Sequence, residues 1–272
     1  MKVEFRDKDD NILTLTDFVD FDYHEAPSSN DFKTNNRILE RFATDGGYEI
    51  GDGTIDPRSG NVGLTFSATN DRIYRFYANR ISSFFRPEQA PFYIVDTDNQ
   101  LRQKISYGGI NSGYSHGQEM RFVKHEIKYI AIDPFWESIT PITTTINGIT
   151  NGQTFDVIVA DTNPVSPNYN ITVYEAYPII AVTTLSNNVN FAVTNNTNNG
   201  SFNIVDSSFT TGQTVTVNGE DGTIKKGNVI NSRILAGGRP FKLKSGTNTL
   251  LYQSALGALV NIVITHRNRY LY

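Results

Sequence analysis

Residues 119–138 read EMRFVKHEIKYIAIDPFWES, and the character of the chain changes at the end of this stretch. From Val123 to Ala131 every second residue is the more apolar one, whereas Lys124, Glu126 and Lys128 carry charge between them. A period of two residues places alternate side chains on opposite faces of a strand. The sequence therefore predicts one long strand with a buried face and a second face that is solvated or lies at an interface.

The strand is predicted to end at a corner formed by Asp133, Pro134, Phe135 and Trp136. Proline has no amide hydrogen for a strand ladder, and it biases the preceding residue away from helix. A mixed segment with one helical pattern precedes this corner, and an Asn/Thr-rich segment with only strand patterns follows it. We therefore predict two domains, residues 1–136 and 137–272, with the single tryptophan of the chain packed at their junction.

Length and composition fit two globular domains and exclude several functional classes. The 272 residues exceed the usual size of one domain, and 38% hydrophobic residues are enough for two cores. A net charge of −4 provides no basic surface for nucleic acid, and the absence of cysteine excludes a disulfide framework and thiol catalysis. The first residues lack the apolar core of a signal peptide, and no run approaches the length of a membrane span.

Patterns in the first half predict a β-rich α+β domain with one helix. Residues 3–15 predict a hairpin, residues 62–68 a strand, and residues 108–117 (GGINSGYSHG) an exposed loop. The glycine- and acid-rich residues 45–58 predict tight turns, because they lack the ligand spacing of a calcium loop and the Gly-Lys-Ser/Thr of a phosphate loop. Between residues 70 and 86 the apolar residues recur at helical spacing and predict a helix that covers a sheet: Ile73, Phe76, Tyr77, Ile81, Phe84 and Phe85.

The second half predicts an antiparallel β-sandwich. Short runs rich in Val, Ile, Thr, Phe and Tyr alternate with Asn, Gly and Asp turns. The predicted strands are residues 154–160, 169–175, 179–184, 190–194, 201–206, 214–218, 241–244, 249–253 and 259–266. The whole chain is therefore predicted to be mainly β.

No catalytic, cofactor or metal site can be assigned from the sequence. The four histidines, His24, His116, His125 and His266, are scattered and have no metal-ligand spacing. No nucleophile elbow of a serine hydrolase is predicted, because the one run with Gly-x-Ser-x-Gly spacing, GYSHG at residues 113–117, lies in the predicted loop. We therefore predict that the protein is not an enzyme and holds no cofactor.

The order of motifs resembles that of the distal tail (Dit) proteins of long-tailed phages. The sequence PEQAPFYIVD at residues 87–96 and the sequence DPFWES at residues 133–138 are similar to motifs of the ring-forming domain of that family. In the second half the segments similar to family strand motifs are EAYPIIAV (175–182), GQTVTV (212–217), EDGTI (220–224), FKLKSGTNTL (241–250) and VNIVITHRNRYL (260–271). Residues 147–167 match no motif of the family.

This resemblance implies a structural virion protein at the tail tip or baseplate. Its first domain would form a hexameric ring, and its second domain would be a galectin-like sandwich on the outside. The implied partners are other copies of the chain, the tail tube protein, a tail-tip or tail-associated protein and a receptor-binding protein. The charged positions Lys124, Glu126 and Lys128 would then face a neighbouring subunit or the lumen of the ring.

Two alternatives remain open at this point. The first is a tail-associated adhesin whose second domain binds a host glycan. The absence of tryptophan after residue 136 argues against it, because sugar sites usually contain an aromatic platform. The second is a hub in a tail-derived particle other than a phage, which sequence alone does not distinguish from a phage protein.

Overall fold

A computed structural model describes residues 3–13, 22–23, 37–40, 47–50, 58–66, 71–113, 123–131, 133, 135–160, 173–187, 190–254 and 257–270. The chain divides into two compact units, Met1–Trp136 and Glu137–Tyr272. No helix in the described residues is both long enough and apolar enough to span a membrane.

The first unit is an antiparallel sheet with one α-helix. Its described elements are β1 (Val3–Arg6), β2 (Ile12–Leu13), β3 (Asp22–Tyr23), β4 (Arg37–Glu40), β5 (Gly47–Ile50), β6 (Arg58–Phe66), α1 (Asp71–Phe84), a 3₁₀ turn (Pro87–Gln89), β7 (Phe92–Asp96), β8 (Leu101–Gly113) and β9 (Val123–Ala131). Successive strands pair in the order β2-β1-β7-β8-β9-β6-β3. β4 and β5 pair with each other.

Two tight turns beside β1 are each closed by a buried aspartate. The Asp7 carboxylate accepts hydrogen bonds from the backbone and side-chain amides of Asn11 at 2.9 and 2.8 Å. The Asp96 carboxylate accepts the corresponding pair from Asn99 at 3.2 and 2.7 Å. Both carboxylates are used by their own turns, and the pairing of β1 with β2 confirms the predicted hairpin.

The predicted helix is confirmed, and its inner face forms an aromatic core with the sheet. Ile81 is fully buried, and the Phe85 ring stacks on Tyr107 at 4.4 Å and meets Phe5 edge-on at 5.4 Å. The prediction that Phe76 lies on this face is wrong, since 60% of its surface is exposed. Phe76 precedes Ile81 by five residues and therefore points about 140° away from it around the helix.

The predicted loop at residues 108–117 is wrong for its first half. Gly108 to Gly113 continue β8, and Gly109 to Gly113 pair with β9, so that Ile110 lies opposite Ile127 and Ser112 opposite His125. The ladder accommodates the glycines with a register shift at Gly109, where φ is +116°. Residues 114–117, including His116, lie outside the described residues.

The second unit consists of two antiparallel sheets and short flanking strands. Its elements are β10 (Trp136–Ser138, which begins on the last residue of the first unit), β11 (Ile142–Ile149), β12 (Thr154–Val159), β13 (Val173–Tyr174), β14 (Ile179–Thr184), β15 (Phe191–Asn195), β16 (Gly200–Ile204), β17 (Thr214–Asn218), β18 (Ile224–Lys226), β19 (Val229–Ile230), β20 (Leu235–Gly238), β21 (Gly246–Ser254), β22 (Val260–His266) and β23 (Arg269–Tyr270). One sheet has the order β11-β22-β14-β17-β18-β19 and the other the order β12-β21-β15-β16-β20.

The two sheets of the second unit form a sandwich. Each has one buried face, as the alternating burial of β22 and β15 shows, with Ile262, Ile264 and Val193 fully buried. The predicted mainly β fold is therefore confirmed. Several strands were missed, among them β11, β18, β19 and β20, and Phe241 to Lys244 form only an isolated bridge through Leu243.

Candidate assembly site

The charged positions that the sequence singled out lie on β9, which is an inner strand of its sheet. β9 pairs with β6 on one side and with β8 on the other. Lys124, Glu126 and Lys128 alternate along it, and the Lys128 side chain is exposed. An inner strand cannot offer its backbone to another subunit, so an interface at these positions would have to use the face of the sheet.

The two faces of β9 differ in the way that the alternation predicts. Ile127, Tyr129 and Ala131 are buried, whereas Lys128 is exposed and Ile130 keeps 46% of its surface exposed. The core side of this strand is therefore defined by the odd-numbered residues. The candidate interface residues occupy the even-numbered positions.

Small or uncharged residues flank the charged positions on both neighbouring strands. The positions opposite Lys124, Glu126 and Lys128 on β6 are Thr65, Gly63 and Asn61, and those on β8 are Gly113, Asn111 and Gly109. None of these six cross-strand positions carries a charged residue. The register thus produces a nine-position patch in which β9 supplies all the charges.

The corner after β9 has local hydrogen bonds of its own. The Asp133 carboxylate accepts the amide hydrogen of Phe135 at 3.2 Å, as expected for an aspartate that opens a turn. Trp136, which starts β10, is buried. Of the four predicted junction residues, Pro134 lies outside the described residues.

An arginine of the second unit holds the chain just after this corner. Arg267 donates from Nη1 to the carbonyl oxygens of Ser138, at 2.8 Å, and Ile139. The Ser138 amide in turn donates to the Asn268 carbonyl at 3.0 Å. These hydrogen bonds join Ser138 and Ile139, at the start of the sandwich, to residues 267–268, which follow β22.

An ion pair between Lys226 and Asp206 closes a turn in the second unit. Lys226 Nζ lies 2.7 Å from the Asp206 carboxylate, 2.7 Å from the Ser208 hydroxyl and 4.6 Å from the centre of the Phe209 ring. The hydrogen bond from Lys226, aided by that from Ser208, lowers the pKa of Asp206 to about 2. These charges stabilise β18 against the loop after β16 and have no arrangement suited to acid–base chemistry.

No group of three His, Cys, Asp or Glu side chains that could hold a metal ion occurs in the described residues. His266 is buried in the sandwich, and burial lowers the pKa of its imidazole. His24 lies outside the described residues, and His125 lies in β9 opposite Leu64 and Ser112.

The exposed apolar side chains of the sandwich are aliphatic. Within the described residues of the second unit, the large exposed ones are Ile158, Ile179, Leu185, Val205, Val229, Ile230 and Leu259. Tyr252, Phe191 and Phe202 are buried in the core. This part of the unit therefore offers no exposed phenylalanine or tryptophan platform of the kind on which a sugar ring stacks.

Comparison with known proteins agrees with the fold. Residues 172–270 match the family model for the siphovirus-type tail component, C-terminal domain (SPP1_Dit). The crystal structure of the Dit protein of phage SPP1, a paradigm of the hub of the adsorption apparatus in phages that infect Gram-positive bacteria, matches 98% of this chain and 99% of its own, with 13% identity and a TM-score of 0.69. A chain of the phage P2 baseplate in its activated conformation with Ca matches 94% of this chain and 99% of its own, with 11% identity and a TM-score of 0.49.

These matches show similarity to a phage tail component in residues 172–270 and a shared fold over the whole chain. No curated protein sequence is significantly similar to this chain. The resemblance to distal tail proteins is confirmed, because residues 172–270 are similar to the C-terminal domain of siphovirus-type tail components and the whole chain has the fold of the SPP1 Dit protein.

Proposed function

We propose that this chain is a structural protein of the virion, a distal tail hub at the tail tip or baseplate. The observation that carries the proposal is the combination of a family match over residues 172–270 with a fold match that covers 98% of the chain. A fold alone does not carry a function, so the family match in the sandwich is the stronger support. In this role the protein has no catalytic activity and needs no cofactor.

The first unit would form the ring. Head-to-tail contacts between identical copies close into a ring when the rotation per copy divides the circle, and six copies give the hexamer proposed for this family. The patch of β6, β8 and β9 supports this assignment, because it presents charged positions among small neighbours. Its residues Lys124, Glu126 and Lys128 would contact the next subunit or line the lumen.

The second unit would lie outside the ring as a galectin-like sandwich. The corner from Asp133 to Trp136 would set its orientation, with Trp136 packed at the junction. The ring would contact the tail tube protein on one side and a tail-tip or tail-associated protein on the other, and a receptor-binding protein would attach at the periphery. The protein would be made in the host cytoplasm and reside in the virion.

The oligomeric state tests this proposal directly. The purified chain, alone and mixed with the tail tube protein of the same genome, is examined by analytical ultracentrifugation and negative-stain electron microscopy. We expect rings of six subunits, either alone or on the tube protein. A chain that stays monomeric at high concentration and does not bind the tube protein would overturn the proposal.

Charge reversal tests the position of the ring contact. The double variant Lys124→Glu/Lys128→Glu should lose the ring while its melting temperature stays that of the parent. The matched control is Lys225→Glu/Lys244→Glu, which makes the same change in net charge at two exposed lysines of the second unit. Rings that survive in the first variant would move the contact elsewhere, and a destabilised monomer would assign that face to the core.

The adhesin alternative has less support, since the exposed apolar residues described in the sandwich are aliphatic. A glycan array probed with the full chain distinguishes the two functions. Saturable binding of a host polysaccharide would favour the adhesin, and a ring without such binding would favour the hub.

A further inference from the structure

The sandwich has four outer strands, and one of them contains a stretch of five residues without the features that usually prevent strand addition. β19 has only two residues and follows two lysines, β20 ends in two glycines beside a register shift, and β12 carries Asp156. β11 is eight residues long, with the sequence ITTTINGI and no charge. Natural sheets protect their edges with short strands, charges or bulges, so an unprotected edge indicates a pairing surface.

The outer side of β11 is regular over its first five residues. Ile142 to Ile146 pair in unbroken register with β22, and the register shifts only after Ile146. Pro141 precedes the strand, and no described strand pairs with its other side. The available edge is therefore the segment Ile142–Ile146, limited by a proline and a bulge.

The inward side chains of this segment are incompletely covered. Ile142, Thr144 and Ile146 are half-buried, whereas Ile262 and Ile264 on the neighbouring strand are fully buried. Another strand beside β11 would remove the two isoleucines from water. Burial of apolar surface of this kind favours association.

The five residues read Ile-Thr-Thr-Thr-Ile, which is the same in both directions. A strand that pairs with an antiparallel copy of itself about Thr144 places Ile142 opposite Ile146 and Thr143 opposite Thr145. Every position then meets an identical residue, and no like charges oppose each other. A two-fold contact requires self-complementarity of this kind.

We propose that β11 pairs with β11 of a second copy of this chain, antiparallel and centred on Thr144. The two six-stranded sheets then continue into each other across the two-fold axis. The contact differs in symmetry from a head-to-tail ring contact and uses the other unit of the chain. It could therefore join two copies whether or not the first unit forms a ring.

The size of the contact predicts how strongly it binds. A stable interface buries about 800 Å² on each partner, and a five-residue strand offers less. We therefore expect pairing that depends on protein concentration in solution. Copies held together by another contact would pair more readily, because a linked second contact has a high effective concentration.

Charged pairs at the exposed positions test the register. In Thr143→Lys/Thr145→Lys the proposed register opposes lysine to lysine at both sites, whereas in Thr143→Lys/Thr145→Glu it opposes lysine to glutamate at both. Sedimentation equilibrium should show pairing at least about ten-fold weaker for the first variant than for the second. The Lys/Lys variant mixed with Thr143→Glu/Thr145→Glu should recover pairing. This result would separate the effect of the register from the effect of net charge.

A single cysteine tests the two-fold axis, because the natural chain contains none. Thr144 lies opposite its own copy in the proposed pair, so Thr144→Cys should form a disulfide-linked dimer under mild oxidation. Val229→Cys is the control, since Val229 is 69% exposed on the opposite edge and reports random collision. Thr144→Cys should cross-link several-fold faster.

Two results would overturn the proposal. One is equal cross-linking of the two cysteine variants, and the other is equal association of the Lys/Lys and Lys/Glu variants. Both outcomes are independent of the ring. If the chain forms rings, the variants change the pairing of rings and leave the six-fold count unchanged. If it forms none, they change the balance between monomer and dimer.

Discussion

The side-chain amide of Asn195 donates to the side-chain oxygen of Asn248 at 3.1 Å, and neither residue is exposed. The Asn248 amide also donates to the Lys244 carbonyl at 2.8 Å, and its oxygen accepts the Lys244 amide hydrogen at 2.9 Å. These side-chain hydrogen bonds hold the segment around Leu243, which forms only an isolated bridge and no continuous strand ladder. It gives a physical role to the asparagine in the sequence FKLKSGTNTL, which resembles a motif of distal tail proteins.

Loss of the Asn248 amide should destabilise the second unit. We expect Asn248→Ala to lower the free energy of unfolding by about 2–3 kcal/mol, because it leaves the buried Asn195 amide and the Lys244 backbone without these partners. Urea denaturation measures the change. The exposed Asn203→Ala serves as a control and should change stability by less than about 0.5 kcal/mol. Equal effects would show that the network contributes nothing specific.

Gly60 is required by the ring of Tyr129. A Cβ atom at Gly60 would overlap the hydroxyl end of this buried ring on the adjacent strand. Gly60→Ala should therefore destabilise the first unit by about 1–3 kcal/mol, as overpacking usually does. Tyr129→Ala in the same chain should relieve most of this added loss, so the double-mutant cycle should be non-additive. Additive losses would mean that the two residues do not interact.

Two adjacent glycines provide a matched pair of substitutions. Gly238 has φ +72°, and a Cβ there would overlap the Ser201 backbone, whereas a Cβ at Gly237 would meet nothing within 4 Å. We expect Gly238→Ala to lower the thermal midpoint of the second unit by several degrees and Gly237→Ala to leave it unchanged. Differential scanning calorimetry of both variants measures the difference. A similar midpoint for both would contradict this assignment of backbone strain.

The ion pair of Asp206 and Lys226 should make stability depend on acid pH. The hydrogen bond from Lys226 lowers the pKa of Asp206 from 3.8 to about 2, so the stabilisation is present above 3.8 and is lost as the pH falls towards 2. We expect a contribution of about 1 kcal/mol, since solvent partly screens the pair. Asp206→Asn should lose this amount at pH 6 and much less at pH 2. An equal loss at both pH values would exclude an ionic contribution.

Protonation of His266 should lower the stability of the second unit at a higher pH than protonation of Asp206 does. Burial lowers the pKa of its imidazole below 6.5, and the Ile158 backbone offsets part of this effect. Neither ring nitrogen has a hydrogen-bond partner of normal geometry. The unfolded chain therefore binds this proton first, and the second unit should lose stability as the pH falls below about 6.5. Denaturation between pH 7 and 5 should show a steeper loss for the parent than for His266→Leu. Parallel curves would show that the imidazole ionises equally in both states.

The elements predicted correctly from sequence are those whose signal is local. Helix α1 follows from the spacing of Ile81 and Phe85, and the alternation of β9 follows from Ile127 and Tyr129. The turn of the β1–β2 hairpin at Asp7 follows from residue types that close turns on their own backbone. Each of these signals lies within a few residues of the structure that it specifies.

The elements that were missed depend on residues distant in sequence. Gly108 to Gly113 have little strand propensity, and their strand exists because β9 pairs with them. The partners in the Asn195–Asn248 network are 53 residues apart, so no local pattern reveals it. The candidate interface residues on β9 could be chosen from their charges, but the small neighbours on β6 and β8 became visible only with the register.

The pairing of β11 with β22 joins the beginning of the sandwich to its end. β22 also pairs with β14, so this sheet lacks its second strand until residues 260–266 have left the ribosome. During synthesis the apolar sides of β11 and β14 therefore stay uncovered until residues 260–266 have been made, and only then can the sandwich complete its fold. Truncation before Val260 would remove a central strand from the sheet, and the exposed apolar surfaces would make the product a substrate for chaperones or proteases.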